Sequence, residues 1–176
     1  VLGGEPSGNR GREWQSQQKL SPEQRERGLK LLRLASLLQY TLPGVPCIYY
    51  GDEAGMEGYR DPFNRGTYPW GKEDQELIEW YRTLGKIRKN CPALLESGMV
   101  PFSAEKDCFA FIRLGKEQAL LVAVNRSPYD QYLNLPSEWS RVEALLGEMP
   151  QNDRLHLSPY GYSLLSLTAS PEEDGE

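Results

Sequence analysis

Residues 43–56 read Pro-Gly-Val-Pro-Cys-Ile-Tyr-Tyr-Gly-Asp-Glu-Ala-Gly-Met, and residues 57–71 continue Glu-Gly-Tyr-Arg-Asp-Pro-Phe-Asn-Arg-Gly-Thr-Tyr-Pro-Trp-Gly. The segment 45–50 is short, apolar and rich in β-formers, with Pro46 near its start and Gly51 just past its end. An apolar run without polar alternation suits a strand buried on both faces, as in a parallel sheet. Beyond Gly51 the chain turns polar and is punctuated by Gly and Pro, which marks a sharply turning loop. A buried strand opening into such a loop is how the catalytic face of a (β/α)₈ barrel is built.

Working outward, a helix is expected on the N-terminal side of this strand. Ser21 can serve as N-cap, Pro22 suits the first helical position, and Gln24 completes a capping box. Leu31, Leu34, Ala35 and Leu38 then recur at helical spacing, with Leu32 widening the stripe, until Pro43 and Gly44 stop the helix after Tyr40. Residues 1–20, rich in Gly, Arg and Gln, read as a loop, and Gly3, Gly4 and Gly8 match no phosphate-loop pattern. On the C-terminal side a second helix is expected over residues 73–90. Leu77, Ile78, Tyr81, Leu84 and Ile87 form its apolar stripe, acids gather at its start and bases at its end, and Pro92 closes it. Helix then strand is half of an α/β repeat, and one repeat cannot bury both of its own faces.

After residue 97 the pattern changes. Segments 108–113 and 119–125 read as a hairpin around Gly115. Segments 131–135, 142–146 and 161–168 supply further strands, and Arg154-Leu155-His156-Leu157 is a short β segment. Turn signals recur between them, as in an all-β sandwich. The expected fold class is therefore α/β plus all-β. Residues 1–96 carry the α/β part; by the family resemblance that residues 43–65 carry, they form the C-terminal part of a barrel domain, with its last strand and flanking helices. Residues 97–170 form an antiparallel β-sandwich, and 171–176 an acidic tail.

Of the 176 residues, 39% are hydrophobic and 26% charged, enough for a core beneath an ordinary soluble surface. A formal net charge of −5 argues against a nucleic-acid partner, which needs a concentrated basic face. No apolar window reaches membrane-spanning length, and no signal peptide stands at Val1, so no membrane association is expected. The three cysteines, Cys47, Cys91 and Cys108, fit neither a zinc pattern nor a disulfide framework. They favour a reducing, cytoplasmic compartment, with an extracellular one still open. Cys47, inside the apolar run, reads as a small buried hydrophobe. His156, the one histidine, is a poor metal site on its own and reads as a surface strand position. No cofactor and no metal are expected. Trp80 and Trp139 read as packing residues.

The run from Pro43 to Met56, followed by Asp61-Pro62 and Arg65, resembles the eighth strand and following loop of the α-amylase family, glycoside hydrolase family thirteen. It is closest to the neopullulanase, cyclomaltodextrinase and maltogenic amylase branch. Residues 159–163, Pro-Tyr-Gly-Tyr-Ser, are similar to the approach to the last strand of that family's C-terminal domain. The resemblance implies a retaining enzyme on α-1,4 or α-1,6 glucosidic bonds of starch, pullulan or cyclodextrins, and an α-glucan partner. Such chemistry needs paired carboxylates across the bond. The family places its nucleophile, acid/base and assisting aspartate after the fourth, fifth and seventh strands, the last in an Asn-His-Asp motif. No His-Asp pair precedes Ser21 here, so no residue of this chain is assigned to the triad, and the chain alone is expected to be inactive.

What the resemblance does place in this loop is sugar binding by Asp61 and Arg65. A carboxylate accepts from sugar hydroxyls and a guanidinium donates to them. A salt bridge stapling the loop is the other reading of the same pair. Asp52 and Glu53 either anchor neighbouring loops or touch sugar. Tyr59 and Trp70 are aromatics that could stack on sugar, with Trp70 expected to pack under the loop and Tyr50 in the core. The branch implies a homodimeric parent. The alternatives are a carbohydrate-binding or assembly module, or an amylase-like protein without catalysis.

Overall fold

The computed structural model describes residues 11–96, 98–116, 118–137, 139 and 141–168; the Gly-rich start and the acidic tail lie outside them. The chain divides into two compact units, Val1–Arg33 with Cys47–Thr83, and Leu34–Pro46 with Leu84–Glu176. Two long helices, α2 (Pro22–Thr41) and α3 (Gln75–Asn90), each contribute one part to each unit.

The first unit opens with a short helix, α1 (Arg12–Ser16), inside the stretch expected to be loop. The capping box of α2 forms as its residues dictate. The Ser21 N–H donates to Gln24 Oε1 at 2.9 Å, and the Gln24 N–H donates back to Ser21 Oγ at 3.2 Å. This satisfies donors that the first helical turn leaves orphaned. Asp74 caps α3 in the same way, its Oδ1 accepting from the Leu77 N–H at 3.0 Å. Leu77, Trp80 and Tyr81 are buried along the start of α3.

In the second unit the buried face of α2 is set by Leu34, Ser36, Leu37, Tyr40 and Thr41. Ala35, expected on that face, is exposed. The Thr41 hydroxyl bonds back to Leu37 O at 2.7 Å, which is why a polar side chain can sit there. The last carbonyls of α2 are satisfied by arginines. Arg88 Nη1 donates to Tyr40 O and its Nη2 to Gly44 O. Arg113, only 1% exposed, donates to Thr41 O, to Leu94 O at 3.3 Å and to Gly98 O at 3.3 Å. Burial, then the charge of Arg88, pulls the Arg113 guanidinium below its ordinary pKa.

A short helix, α4 (Pro92–Glu96), follows α3, because Pro92 begins a new turn where it ends the old one. The strands come next: β1 (Met99–Glu105), β2 (Cys108–Leu114), β3 (Ala119–Asn125), β4 (Gln131–Asn134), β5 (Arg141–Gly147), β6 (Arg154–Leu157) and β7 (Tyr162–Thr168). They form an antiparallel five-stranded sheet in the order β1-β2-β3-β7-β5 and an antiparallel two-stranded sheet of β4 and β6. The expected hairpin is β2–β3, in unbroken register from Cys108↔Asn125 to Leu114↔Ala119. Cys108, Ala110, Leu121, Ala123, Leu165 and Leu167 of the larger sheet share one core with Leu133, Leu155 and Leu157 of the smaller. That is a sandwich: each strand sends alternate residues inward. Trp139 closes one side of this core against Phe102, ring centroids 5.4 Å apart.

Asn125, fully buried at the end of β3, acts as a polar tie. Its amide donates to Tyr129 O, Leu157 O and Ser158 O, and its Oδ1 accepts from the Ser127 N–H at 2.9 Å.

The segment 45–50 differs from its expectation. Residues 45–49 carry no regular secondary structure, and Val45 is 92% exposed, with Ile48, Tyr49 and Tyr50 all above 39%. Cys47 is exposed too, while Cys91 and Cys108 are buried. The physical reason is that a parallel strand exists only through its ladder, and none of the described strands pairs with this segment. Among the described residues, no helix is long and apolar enough to cross a membrane.

Candidate functional site

The loop after residue 50 is shaped by its own backbone first. Gly51 sits at φ +92°, a conformation that L side chains avoid, and an added Cβ would fall 2.3 Å from the Met56 sulfur. Its carbonyl accepts from the N–H groups of Ala54 (3.1 Å) and Met56 (2.9 Å), which closes the turn. Its own N–H donates to Glu53 Oε2 at 2.9 Å. Glu53 also accepts from the Tyr68 hydroxyl. Burial, the charges of Glu53 and Glu73 and that hydrogen bond together raise the Tyr68 phenol above its usual pKa. Glu53 is thus an anchor for both the turn and the far end of the loop.

Its neighbour Asp52 behaves differently. Among the described residues its carboxylate has no hydrogen bond or ion pair. Burial, followed by the charge of Glu53, pushes its carboxyl above the ordinary range. Asp52 lines a cleft of about 660 Å³ bounded by residues 15–20, the first turns of α2 and residues 52–63. Gln18, Gln24, Tyr59, Arg60 and Phe63 line it as well. The Arg25–Glu57 ion pair, 3.0 Å long and partly buried, lines this cleft and an adjoining depression of about 290 Å³. Arg25 also donates to Gly55 O at 3.1 Å, and the Leu20 N–H to Glu57 Oε2 at 3.2 Å, so the rim is tied down.

Asp61 and Arg65 meet. Backbone bonds Phe63 N–H to Arg60 O (2.9 Å) and Arg65 N–H to Pro62 O (3.0 Å) fold the loop back on itself. Arg65 Nε then lies 2.7 Å from Asp61 Oδ1, with both side chains more than 60% exposed. The stapling geometry is present, and the outward polar edges of both groups remain open to solvent.

The aromatics divide. Tyr59 meets Trp14 edge-on, centroids 5.9 Å apart. Tyr50 is exposed rather than in a core, its hydroxyl donating to Gly66 O at 3.0 Å. Trp70 is 79% exposed, leaning on Tyr68 with centroids 4.7 Å apart, instead of packing beneath the loop. In the β-sandwich, His156 stays half exposed in β6. Its Nε2 lies 2.7 Å from Asp130 Oδ1 and its Nδ1 3.6 Å from Glu148 Oε2, and its ring stacks on Tyr132. No group of three or more His, Cys, Asp or Glu among the described residues is placed to hold a metal ion. The cleft and the unpaired state of Asp52 were not anticipated from the sequence, because both depend on how residues 15–20 lie beside the loop.

No protein-family model matches the chain. The amylopullulanase of Thermoanaerobacterium saccharolyticum is 38% identical over 115 residues, covering 59% of this chain and 9% of the relative. Neopullulanase 2 of Thermoactinomyces vulgaris is 33% identical over 140 residues, 73% of this chain and 24% of the relative. The solved structure of a cyclomaltodextrinase superposes with TM-score 0.67 at 30% identity, covering 79% of this chain and 26% of that one. The chain thus spans at most about a quarter of the length of these proteins.

Proposed function

We propose that this chain, a homologue of the α-amylase-family glycosidases, forms the C-terminal part of a retaining enzyme acting on α-1,4 or α-1,6 glucosidic bonds of starch, pullulan or cyclodextrins. The carrying observation is the loop that follows residue 50: Asp61 and Arg65, the pair that the resemblance assigns to glucose hydroxyls, stand together at 2.7 Å and open to solvent. In this reading the ion pair pre-positions both groups. The carboxylate accepts from one hydroxyl and the guanidinium donates to the next, without either side chain having to be ordered at the moment of binding.

The exposed apolar segment 45–50 supports the same reading. Val45, Ile48 and Tyr49 have the composition of a strand buried on both faces, and a barrel supplies such neighbours. Retaining cleavage requires a nucleophile and an acid/base about 5–5.5 Å apart. The chain's only histidine is engaged with Asp130 and Glu148 in the sandwich, so the Asn-His-Asp motif has no counterpart here. The catalytic carboxylates therefore belong to the rest of the enzyme, and the 176-residue chain alone is inactive.

The reading as a free-standing carbohydrate-binding module finds less support. Tyr132, the aromatic on the outer face of the smaller sheet, already stacks with His156 and has the Arg154 guanidinium 4.0 Å from its ring centroid.

The deciding assay measures reducing sugar released from cyclodextrin and pullulan by the 176-residue chain and by a longer form carrying a complete barrel. A silent short chain beside an active long form is expected. Turnover by the short chain would overturn the proposal. In the long form, Asp61→Asn should raise KM several-fold with a smaller effect on kcat, as expected when binding away from the cleaved bond is lost.

A further inference from the structure

We propose that Arg88, in the last turn of α3, is a positioning residue for the enzyme's substrate loop: it fixes the direction in which the chain leaves α2 toward residues 45–50 and the loop that carries Asp61 and Arg65. This rests on the α-glucan reading of that loop and adds to it a residue that touches no sugar.

The need for such a residue arises at the end of α2. A helix leaves its last carbonyls without N–H partners. If α2 continued, the N–H groups of residues 44 and 45 would reach Tyr40 O and Thr41 O. Pro43 stops that continuation, and Gly44, at φ +110°, turns the chain out of the helix. Side chains donate in their place. Arg88 Nη1 donates to Tyr40 O, and Arg113 of β2 donates to Thr41 O. Both cations also meet the negative end of the helix dipole.

The second arm of Arg88 goes beyond capping. Its Nη2 donates to Gly44 O, three residues past the end of α2. Gly44 is exposed, so water would serve its carbonyl nearly as well, and the bond adds little stability. What it adds is geometry. One planar guanidinium holds a carbonyl inside the helix and another beyond it, on either side of Pro43. The exit from α2 is thus set by a side chain 44 residues further along the chain. Val45 and Pro46 follow at once. An extended segment has no hydrogen bonds within itself to correct a misdirected start. In a barrel strand a slip of one residue would turn every side chain to the opposite face and carry the following loop with it.

The test uses the longer form carrying a complete barrel, with whichever of cyclodextrin and pullulan it turns over. KM, kcat and Tm are measured for the parent, Arg88→Lys, Asp61→Asn and the double variant. Arg88→Lys keeps the charge at the helix end and loses the fork. It should hold Tm near the parent's and raise KM about 3-fold or more, with kcat changed less than about 2-fold. The double variant should have the KM of Asp61→Asn alone, because both changes act through one loop. Arg88→Lys with the parent's KM would reduce Arg88 to a helix cap and overturn the proposal, leaving the glucan reading intact. So would a KM rise seen only with a large fall in Tm, or KM effects that multiply in the double variant. Asp61→Asn with the parent's KM, or a longer form without turnover, would remove the loop's sugar role and this proposal with it.

Discussion

The β-sandwich and the loop after residue 50 treat their polar groups in opposite ways. In the sandwich most buried polar side chains are used internally: Arg113 on three carbonyls, Asn125 on three more, Ser163 on Glu148 O at 2.6 Å, with Gln118 Oε1 the buried exception among the described residues. In the loop, Asp52 is half-buried without a partner among the described residues, Asp61 and Arg65 satisfy each other at the surface, and Trp70 and Tyr50 stand exposed. A region whose buried polar groups are nearly all spent has stability to offer. A region with polar groups to spare has binding to offer, at some cost in stability.

The contrast can be broken at its strongest point. Replacing Arg113 by Ala should destabilise by about 4 kcal/mol, because buried carbonyls of Thr41 and Leu94 lose their donor. Urea melts showing a loss under about 1 kcal/mol would mean that the sandwich is not held by its internal polar ties. Leu121→Ala, at a fully buried core position, should cost about 3 kcal/mol by the same measurement. Ser21→Ala removes one half of a capping box and should cost about 1 kcal/mol. For Asp61 and Arg65 a double-mutant cycle should give a coupling of only about 0.5 kcal/mol, since both groups are exposed. A much larger value would move this pair to the sandwich's side of the comparison, as architecture.

The smallest effect carries the opposite sign. Asp52→Asn should leave Tm unchanged at low pH and raise it slightly at neutral pH. The folded state holds the Asp52 proton more tightly than the unfolded chain does. Its stabilising contribution is therefore complete below the ordinary carboxylate range and is lost as pH rises through the raised folded value. Asparagine, which never ionises, escapes that loss. Melts from acid to neutral pH that run parallel for parent and variant would show that Asp52 is not desolvated.

Local signals were legible in the sequence. The capping box of Ser21 and Gln24 forms because its partners are three residues apart, and the β2–β3 hairpin forms because its two apolar runs flank a short turn. Pairing between distant elements was harder to read. β1 was not anticipated because Pro101 lies within it, and proline is tolerated there only because β1 is an edge strand with a register shift at Pro101/Ser103. The phase of α2 was read from its leucines, which placed Ala35 inward; packing turned Leu37 and Thr41 inward instead. For residues 45–50 the apolar composition states a demand for burial, not the neighbours that would meet it. Asp61 and Arg65 were found by resemblance and do come together. The sequence puts Asp52 and Glu53 on an equal footing, and only the fold separates an anchored carboxylate from an unanchored one.

Both open edges of the five-stranded sheet are irregular, β1 between Pro101 and Ser103 and β5 between Ala144 and Leu146. A flat, regular edge is a template on which another chain can grow, and a kinked one interrupts each added row of hydrogen bonds. The sandwich therefore carries its own protection against fibrillar growth. That protection is written into the backbone, so changes to surface charge or salt would leave it in place.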